Sequence, residues 1–244
     1  RGHGRTIADD ASQGVLAKSD GLIKVLEDQN EIVNLIKKRL PNKPVICFGH
    51  SLGSIINLNF ALTYPNQVNA LACWNSGIET GLLPKASRII LAIEGFFRNQ
   101  NLPSLIAWKL SFEAWNSKFK PNRTKFDWLS RDENEVNLYV GDPHCGFEVS
   151  ISMWRDVLDG VFYAGNKINI QKLPKELPVH IVGGAEDPCT QNGSDMKKLA
   201  TKLQNSGLSD VTCTILEGTR HESLNEINRD QTTKQFIKWL EERF

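Results

Sequence analysis

The stretch Val45-Ile46-Cys47-Phe48-Gly49-His50-Ser51-Leu52-Gly53 decides how the rest of the chain is read. Four apolar residues follow Pro44 and read as a short buried strand. Ser54-Ile55-Ile56 through Ala61-Leu62 then read as a helix closed by Tyr64-Pro65. Ser51 therefore falls on a strand-to-helix turn, where a strained backbone exposes a hydroxyl as a nucleophile. Gly49 and Gly53 lack a Cβ, so both are expected to let strand and helix approach closely. The N–H of Leu52, opening the helix, would point at a developing oxyanion. A Gly-x-Ser-x-Gly match recurs by chance; the strand before it and the helix after it give it weight.

Working outward, Arg1-Gly2-His3-Gly4-Arg5-Thr6 is a glycine-rich loop. Leu22, Val25, Leu26, Ile32, Val33, Leu35 and Ile36 then recur at spacings of three and four, predicting a long helix ended by Pro41-Asn42. Downstream of the turn, Val68 to Cys73 reads as a second buried strand, with Trp74-Asn75-Ser76-Gly77 leaving it. Pro178-Val179-His180-Ile181-Val182-Gly183-Gly184-Ala185-Glu186-Asp187-Pro188 reads as a third whose exit loop carries acids, the stretch around Ser194 to Leu203 as a helix, Val211 to Leu216 as a fourth strand, and about Asp230 to Glu242 as the last helix. Strands alternating with helices predict an α/β fold with a mostly parallel sheet, formed from residues 1–77 and 178–244.

Between 78 and 177 the alternation lapses. Ile89, Ile93, Phe96 and Phe97 share one helical face, Leu105, Trp108 and Phe112 another, and Ile151, Trp154, Val157 or Leu158, and Val161 a third. Each stripe alone is expected to pack on the core. Together they read as a helical cap inserted between two core strands, a common way to cover a pocket. No internal repeat or low-complexity linker interrupts the pattern.

With 29 basic and 28 acidic residues among 244, the charge balance gives no case for nucleic acid or an anionic membrane as main partner. Apolar runs such as Ile89-Ile90-Leu91-Ala92-Ile93 are too short to span a bilayer, and no signal-peptide order of segments occurs in a chain that begins with Arg1. Cys47, Cys73, Cys145, Cys189 and Cys213 are widely spaced and odd in number, so reduced thiols and a cytoplasmic setting are expected.

In a parallel sheet, loops leaving the carboxyl ends of the strands share one edge, so distant residues meet there. Ser51, Asp187 and His221 each follow a predicted strand, in the chain order of α/β-hydrolases. His221 would take the proton of Ser51 during attack on an acyl carbonyl, and Asp187 would orient the imidazole. Glu186 and Glu79 are the rival acids. Among the other histidines, His50 is expected to point away from the site, His180 to be structural, and His3 and His144 to lie in loops. His221-Glu222-Ser223-Leu224-Asn225 lacks the second ligand of a zinc-protease helix. Asp142, His144 and Cys145 read as a loop rather than a metal site, and Gly183-Gly184 lacks nucleotide-loop spacing. No cofactor or metal is expected.

Arg1-Gly2-His3-Gly4, Gly49-His50-Ser51-Leu52-Gly53, Glu186-Asp187-Pro188 and Arg220-His221-Glu222-Ser223-Leu224-Asn225-Glu226 together resemble the serine-aminopeptidase-type branch of the α/β-hydrolase fold, which holds monoacylglycerol lipases and bacterial lysophospholipases. Asp142-Pro143-His144-Cys145-Gly146-Phe147 also resembles bacterial members. The resemblance implies Ser51, Asp187 and His221 as nucleophile, acid and base, Leu52 as one oxyanion donor, and as substrates carboxylic esters of glycerol or similar small alcohols, monoacylglycerol- or lysophospholipid-like or small acyl esters, with the acyl chain lying under the aromatic cap. A small aminopeptidase or amidase, gripping a free amine with Glu79, Glu94 or Glu148, is the alternative enzyme; a catalytically impaired binding protein is the alternative outside enzymes. Members of the branch carry further strands before the Arg-Gly-His-Gly loop, one of which ends in a His-Gly loop supplying the second oxyanion N–H. On the order of 50 such residues have no counterpart here. The four strands are therefore expected to be neighbours, with the Ser51 strand at a sheet edge; the chain is then a fragment of a longer one, is completed by a second chain covering that edge, or is a truncated relative.

Overall fold

In a computed structural model describing residues 1–9 and 11–244, four strands form one parallel sheet in the order β1-β2-β3-β4. They are β1 (Ile46–His50), β2 (Ala70–Trp74), β3 (Val179–Gly184) and β4 (Val211–Leu216). Cys47 sits opposite Leu71, Leu71 opposite Val179, and Val179 opposite Val211. β2 and β3 are buried along their whole length, which is why they read as unbroken apolar runs rather than as alternating ones. β1 begins one residue later than its apolar run and continues through His50. There the N–H of Ser51 extends the ladder by donating to the Trp74 carbonyl at 2.9 Å.

On one face of the sheet, Cys47, Leu71, Cys73, Val179 and Ile181 pack with α1 (Gly21–Arg39), α2 (Leu52–Thr63) and α9 (Ser194–Gln204) through Leu26, Leu58, Phe60, Met196 and Leu203. On the other face, Trp74, Val182 and Leu216 meet Phe236 of α10 (Arg229–Glu241). Trp74 Nε1 donates to His180 Nδ1 at 3.1 Å, so His180 is a satisfied core residue, as expected. Among the described residues β1 pairs with β2 alone, leaving Phe48 37% exposed at the sheet edge.

Residues between β2 and β3 are helical: α3 (Leu82–Phe97), α4 (Leu105–Trp108), a π-helical turn (Lys109–Glu113), α5 (Ala114–Asn116), α6 (Glu133–Gly141), α7 (Ile151–Gly165) and α8 (Lys167–Ile170). α7 crosses α2 at Gly160, where a Cβ would lie 2.9 Å from Ile55 Cγ2. The Gly160 carbonyl accepts there from Asn59 Nδ2 at 3.0 Å. Its stripe is inward as expected, with Ile151 and Val161 buried. The α3 stripe is the reverse: Ile89, Ile93, Phe96 and Phe97 face outward at 55–83% exposure, while Leu91 and Glu94 face in. Periodicity defines the faces of a helix but not which one is covered. Here a carboxylate has taken the inner side, because Glu94 accepts from Ser104 Oγ and Arg98 Nη1, both at 2.5 Å.

All five cysteines are unpaired, and among the described residues no helix is long and apolar enough to cross a membrane.

Candidate active site

Ser51 occupies the step between β1 and α2 with φ 52° and ψ −120°, a conformation that costs a non-glycine residue of order 1–3 kcal/mol and is kept only where the surroundings enforce it. Here the Ser51 N–H bond to Trp74 and the Ser54 N–H bond to the Ser51 carbonyl at 3.0 Å hold it, and Gly49 leaves the room. A Cβ there would overlap the Gly53 carbonyl and approach Asn57 Nδ2 to 2.6 Å. The expectation for Gly53 is corrected: a Cβ at 53 meets nothing within 4 Å among the described residues, so the close approach rests on Gly49 and on the Gly53 backbone. Leu52 is the first residue of α2, where N–H groups have no intrahelical acceptor.

The loops after β1, β3 and β4 bring Ser51, Asp187 and His221 together. His221 Nε2 lies 2.9 Å from Ser51 Oγ, and His221 Nδ1 lies 3.1 and 3.0 Å from the two Asp187 oxygens. Asp187 can only accept, so the network assigns the proton to Nδ1 and leaves Nε2 to accept from the serine hydroxyl. Asp187 is fully buried and takes three further hydrogen bonds: from Cys189 N–H at 2.9 Å, Thr190 Oγ1 at 3.0 Å and Asn75 Nδ2 at 3.3 Å. Burial alone would raise its pKa; the His221 charge and these hydrogen bonds outweigh it and hold the carboxyl below its usual range. For His221, burial pulls the pKa down, but the Asp187 charge and hydrogen bond, with Glu222 beyond, leave it raised.

Residues the sequence reading passed over complete the arrangement. Asn75, held at φ 52° just past β2, donates to Asp187 and accepts from Ser223 Oγ at 2.7 Å. Its place directly after a core strand, on the same edge as Ser51, is the signal that could have found it. Trp128 packs its indole 4.7 Å from the His221 ring, closing a chain of rings that runs through Phe112, Trp115 and Trp154. No local pattern marks Trp128, because it meets His221 only in three dimensions.

His50 does not point away from the site. Its Nε2 donates to the His221 carbonyl at 2.8 Å and its ring lies 4.8 Å from the His221 ring, because β1 ends beside the His221 loop. The rival acids lie elsewhere. Glu186 is exposed and 3.9 Å from Arg220 Nε, and Glu79 faces Lys202 at 3.5 Å. His3 packs on Phe147, and Asp142 Oδ1 accepts the His144 N–H in a loop turn. A Cβ at Gly184 would overlap the Thr219 and Arg220 carbonyls, so this glycine admits the His221 loop over β3. Asp187, Cys189 and His221 place ligand-type atoms within 4.8 Å of one another. The His–Asp hydrogen bond accounts for two of them, and burial pushes the Cys189 thiol well above its ordinary pKa, away from the thiolate a metal takes.

Residues 1–228 match the model of the family described as serine aminopeptidase, S33. Among curated proteins, the chain is similar to a monoglyceride lipase of Rattus norvegicus, with 23% identity over 199 residues, 80% of this chain and 57% of that protein. The chain thus aligns with little more than half the length of that relative. Its fold resembles a carboxyl esterase from Bacillus coagulans solved with glycerol, at TM-score 0.85 and 22% identity over 98% of this chain and 77% of that one. It also resembles a soluble variant of a monoglyceride lipase from Saccharomyces cerevisiae solved with a substrate analogue, at TM-score 0.73 and 18% identity over 99% and 75%. At these identities the structures speak for the fold, while the family match spans most of the chain. The chain belongs to the serine aminopeptidase S33 family, on the α/β-hydrolase fold.

Proposed function

We propose that this protein is a serine hydrolase that cleaves carboxylic esters through an acyl-enzyme, without metal or cofactor. The observation that carries the reading is the unbroken path from Ser51 Oγ through His221 to buried Asp187. Ser51 Oγ attacks the ester carbonyl as its proton passes to His221 Nε2, and the developing oxyanion faces the Leu52 N–H. Collapse of the adduct breaks the acyl–alcohol bond, and His221 returns the proton to the departing alcohol. Water then repeats the sequence on the acyl-enzyme. Asp187 holds the Nδ1–H tautomer throughout.

For substrate, the reading takes monoacylglycerols, lysophospholipid-like esters or small acyl esters, with residues 78–177 as a cap. The rings of Trp108, Phe112, Trp115 and Trp128 supply apolar surface suited to an acyl chain. The amide alternative requires an acid free to bind an amine. Glu94 is engaged by Ser104 and Arg98 and Glu79 faces Lys202, so neither is free for an amine, which favours the ester. The reading includes a cytoplasmic setting, supported by five unpaired thiols, and leaves room for a second chain against the β1 edge, which among the described residues pairs with β2 alone.

The test is hydrolysis of p-nitrophenyl butyrate, a monoacylglycerol and an aminoacyl p-nitroanilide by the chain and by Ser51→Ala. Ester turnover lost in Ser51→Ala is expected. Preferential turnover of the anilide would transfer the reading to an aminopeptidase, and no turnover of any would favour a binding protein.

A further inference from the structure

Glu226 is fully buried, yet it lies in no strand or helix. Its Oε1 accepts from the Arg220 N–H at 2.9 Å and the Arg131 N–H at 3.1 Å; its Oε2 accepts from Arg131 Nε at 3.0 Å and the Ile227 N–H at 3.1 Å. Four donors converge on two oxygens that accept only, so every contact of this carboxylate is used to hold other groups in place.

The donors belong to two segments distant in sequence. Arg220 directly precedes His221, and Arg131 follows Trp128, whose ring covers the His221 imidazole. Around Glu226 the same two segments are laced together. The Glu222 N–H donates to the Leu129 carbonyl at 2.7 Å, Ser130 Oγ to the Asn225 carbonyl at 2.7 Å, and Arg220 Nη1 to the Asp127 and Ser130 carbonyls at 2.5 and 3.1 Å. The Arg220 guanidinium also lies 4.1 Å over the Phe119 ring. Asp187 fixes the Nδ1 edge of the His221 ring. How far the ring reaches toward Ser51 depends on the backbone at 220–222 and on the Trp128 face, and both meet at Glu226.

We propose that Glu226 is a positioning residue that clasps the His221 loop to residues 127–132 and thereby holds the imidazole between Trp128 and Ser51. The proposal rests on the reading of Ser51 as nucleophile and His221 as its base. It makes the loop before α6 a support of the reaction, since displacing residues 127–132 displaces His221.

The test follows the rate at which a fluorophosphonate labels Ser51 across pH, together with the His221 Nδ1–H proton resonance, in the unaltered chain, Glu226→Ala, Glu226→Gln and Arg131→Met. A misplacement of about 1 Å at a reacting group costs about 100-fold. Glu226→Ala is therefore expected to label about 100-fold more slowly, Glu226→Gln and Arg131→Met less so, and all three with a displaced pH midpoint and a shifted resonance. Should Glu226→Ala fail to fold, Arg131→Met decides, because it keeps the backbone donors and removes a side chain already 30% exposed. Folded variants that label at the unaltered rate with the same midpoint and resonance would overturn the proposal and leave Glu226 a purely structural residue. If the unaltered chain does not label, the nucleophile reading has failed. The clasp is then judged by the resonance alone: a shift in Arg131→Met supports it, and an unmoved line refutes it.

Discussion

Replacing Asp187 with Asn keeps the size of the side chain and changes one donor–acceptor pattern. In the native site Oδ1 accepts the Cys189 N–H and Oδ2 accepts from Thr190 and Asn75, with His221 Nδ1–H shared between them. The new amide is expected to keep its oxygen toward the Cys189 N–H, a backbone donor that cannot turn away, while its NH2 meets the Thr190 hydroxyl, which can rotate to accept, and the Asn75 amide, whose donor it opposes. Its NH2 then faces His221 Nδ1, which must become the acceptor. The imidazole proton moves to Nε2, where it points at Ser51 Oγ and can no longer accept the serine proton. The wrong tautomer costs about 10⁴ in kcat, about 5.5 kcal/mol of transition-state stabilisation. Removing the carboxylate also removes the main influence raising the His221 pKa, so residual activity should have its pH midpoint lower than in the unaltered protein. The assay is kcat and KM for p-nitrophenyl butyrate from pH 5 to 9, with Glu186→Gln and Glu79→Gln beside it. Activity of Asp187→Asn within tenfold of the unaltered protein, or an equal loss in Glu186→Gln, would refute the assignment.

Two further outcomes follow from the same geometry. His221 must be neutral to act as a base, and its folded pKa is raised above 6.5, so kcat/KM should climb with pH through a midpoint above 6.5 while Asp187, with its pKa lowered, stays ionised; a midpoint below 6.5 would contradict the geometry. Gly49→Ala forces a Cβ into the Gly53 backbone and should lower unfolding free energy by about 1–3 kcal/mol in denaturant titration, whereas Gly53→Ala meets no described atom within 4 Å and should cost less.

The sheet was legible because β2 and β3 are buried on both faces and their apolar runs are bounded by turns. The three convergent residues were legible because each leaves the carboxyl end of a strand, a position that topology alone brings to one edge. The α3 stripe was misread because a helical period does not say which face is covered, and the buried Glu94 carboxylate, held by Ser104 and Arg98, took the inner one. His50 was misread because the contact that holds it beside the site comes from the His221 loop, 171 residues away. Asn75 and Trp128 escaped for the same reason, since their partners lie in other segments; Glu226 stands in the quoted Arg220–Glu226 motif, but its bonds to Arg131 appear only in three dimensions.

The account stands most directly on whether Ser51 is an activated nucleophile. Mass spectrometry of the intact chain after treatment with a fluorophosphonate should show a single adduct, located at Ser51 by peptide mapping and missing from Ser51→Ala. No adduct on the folded chain, or one that persists in Ser51→Ala, would contradict it.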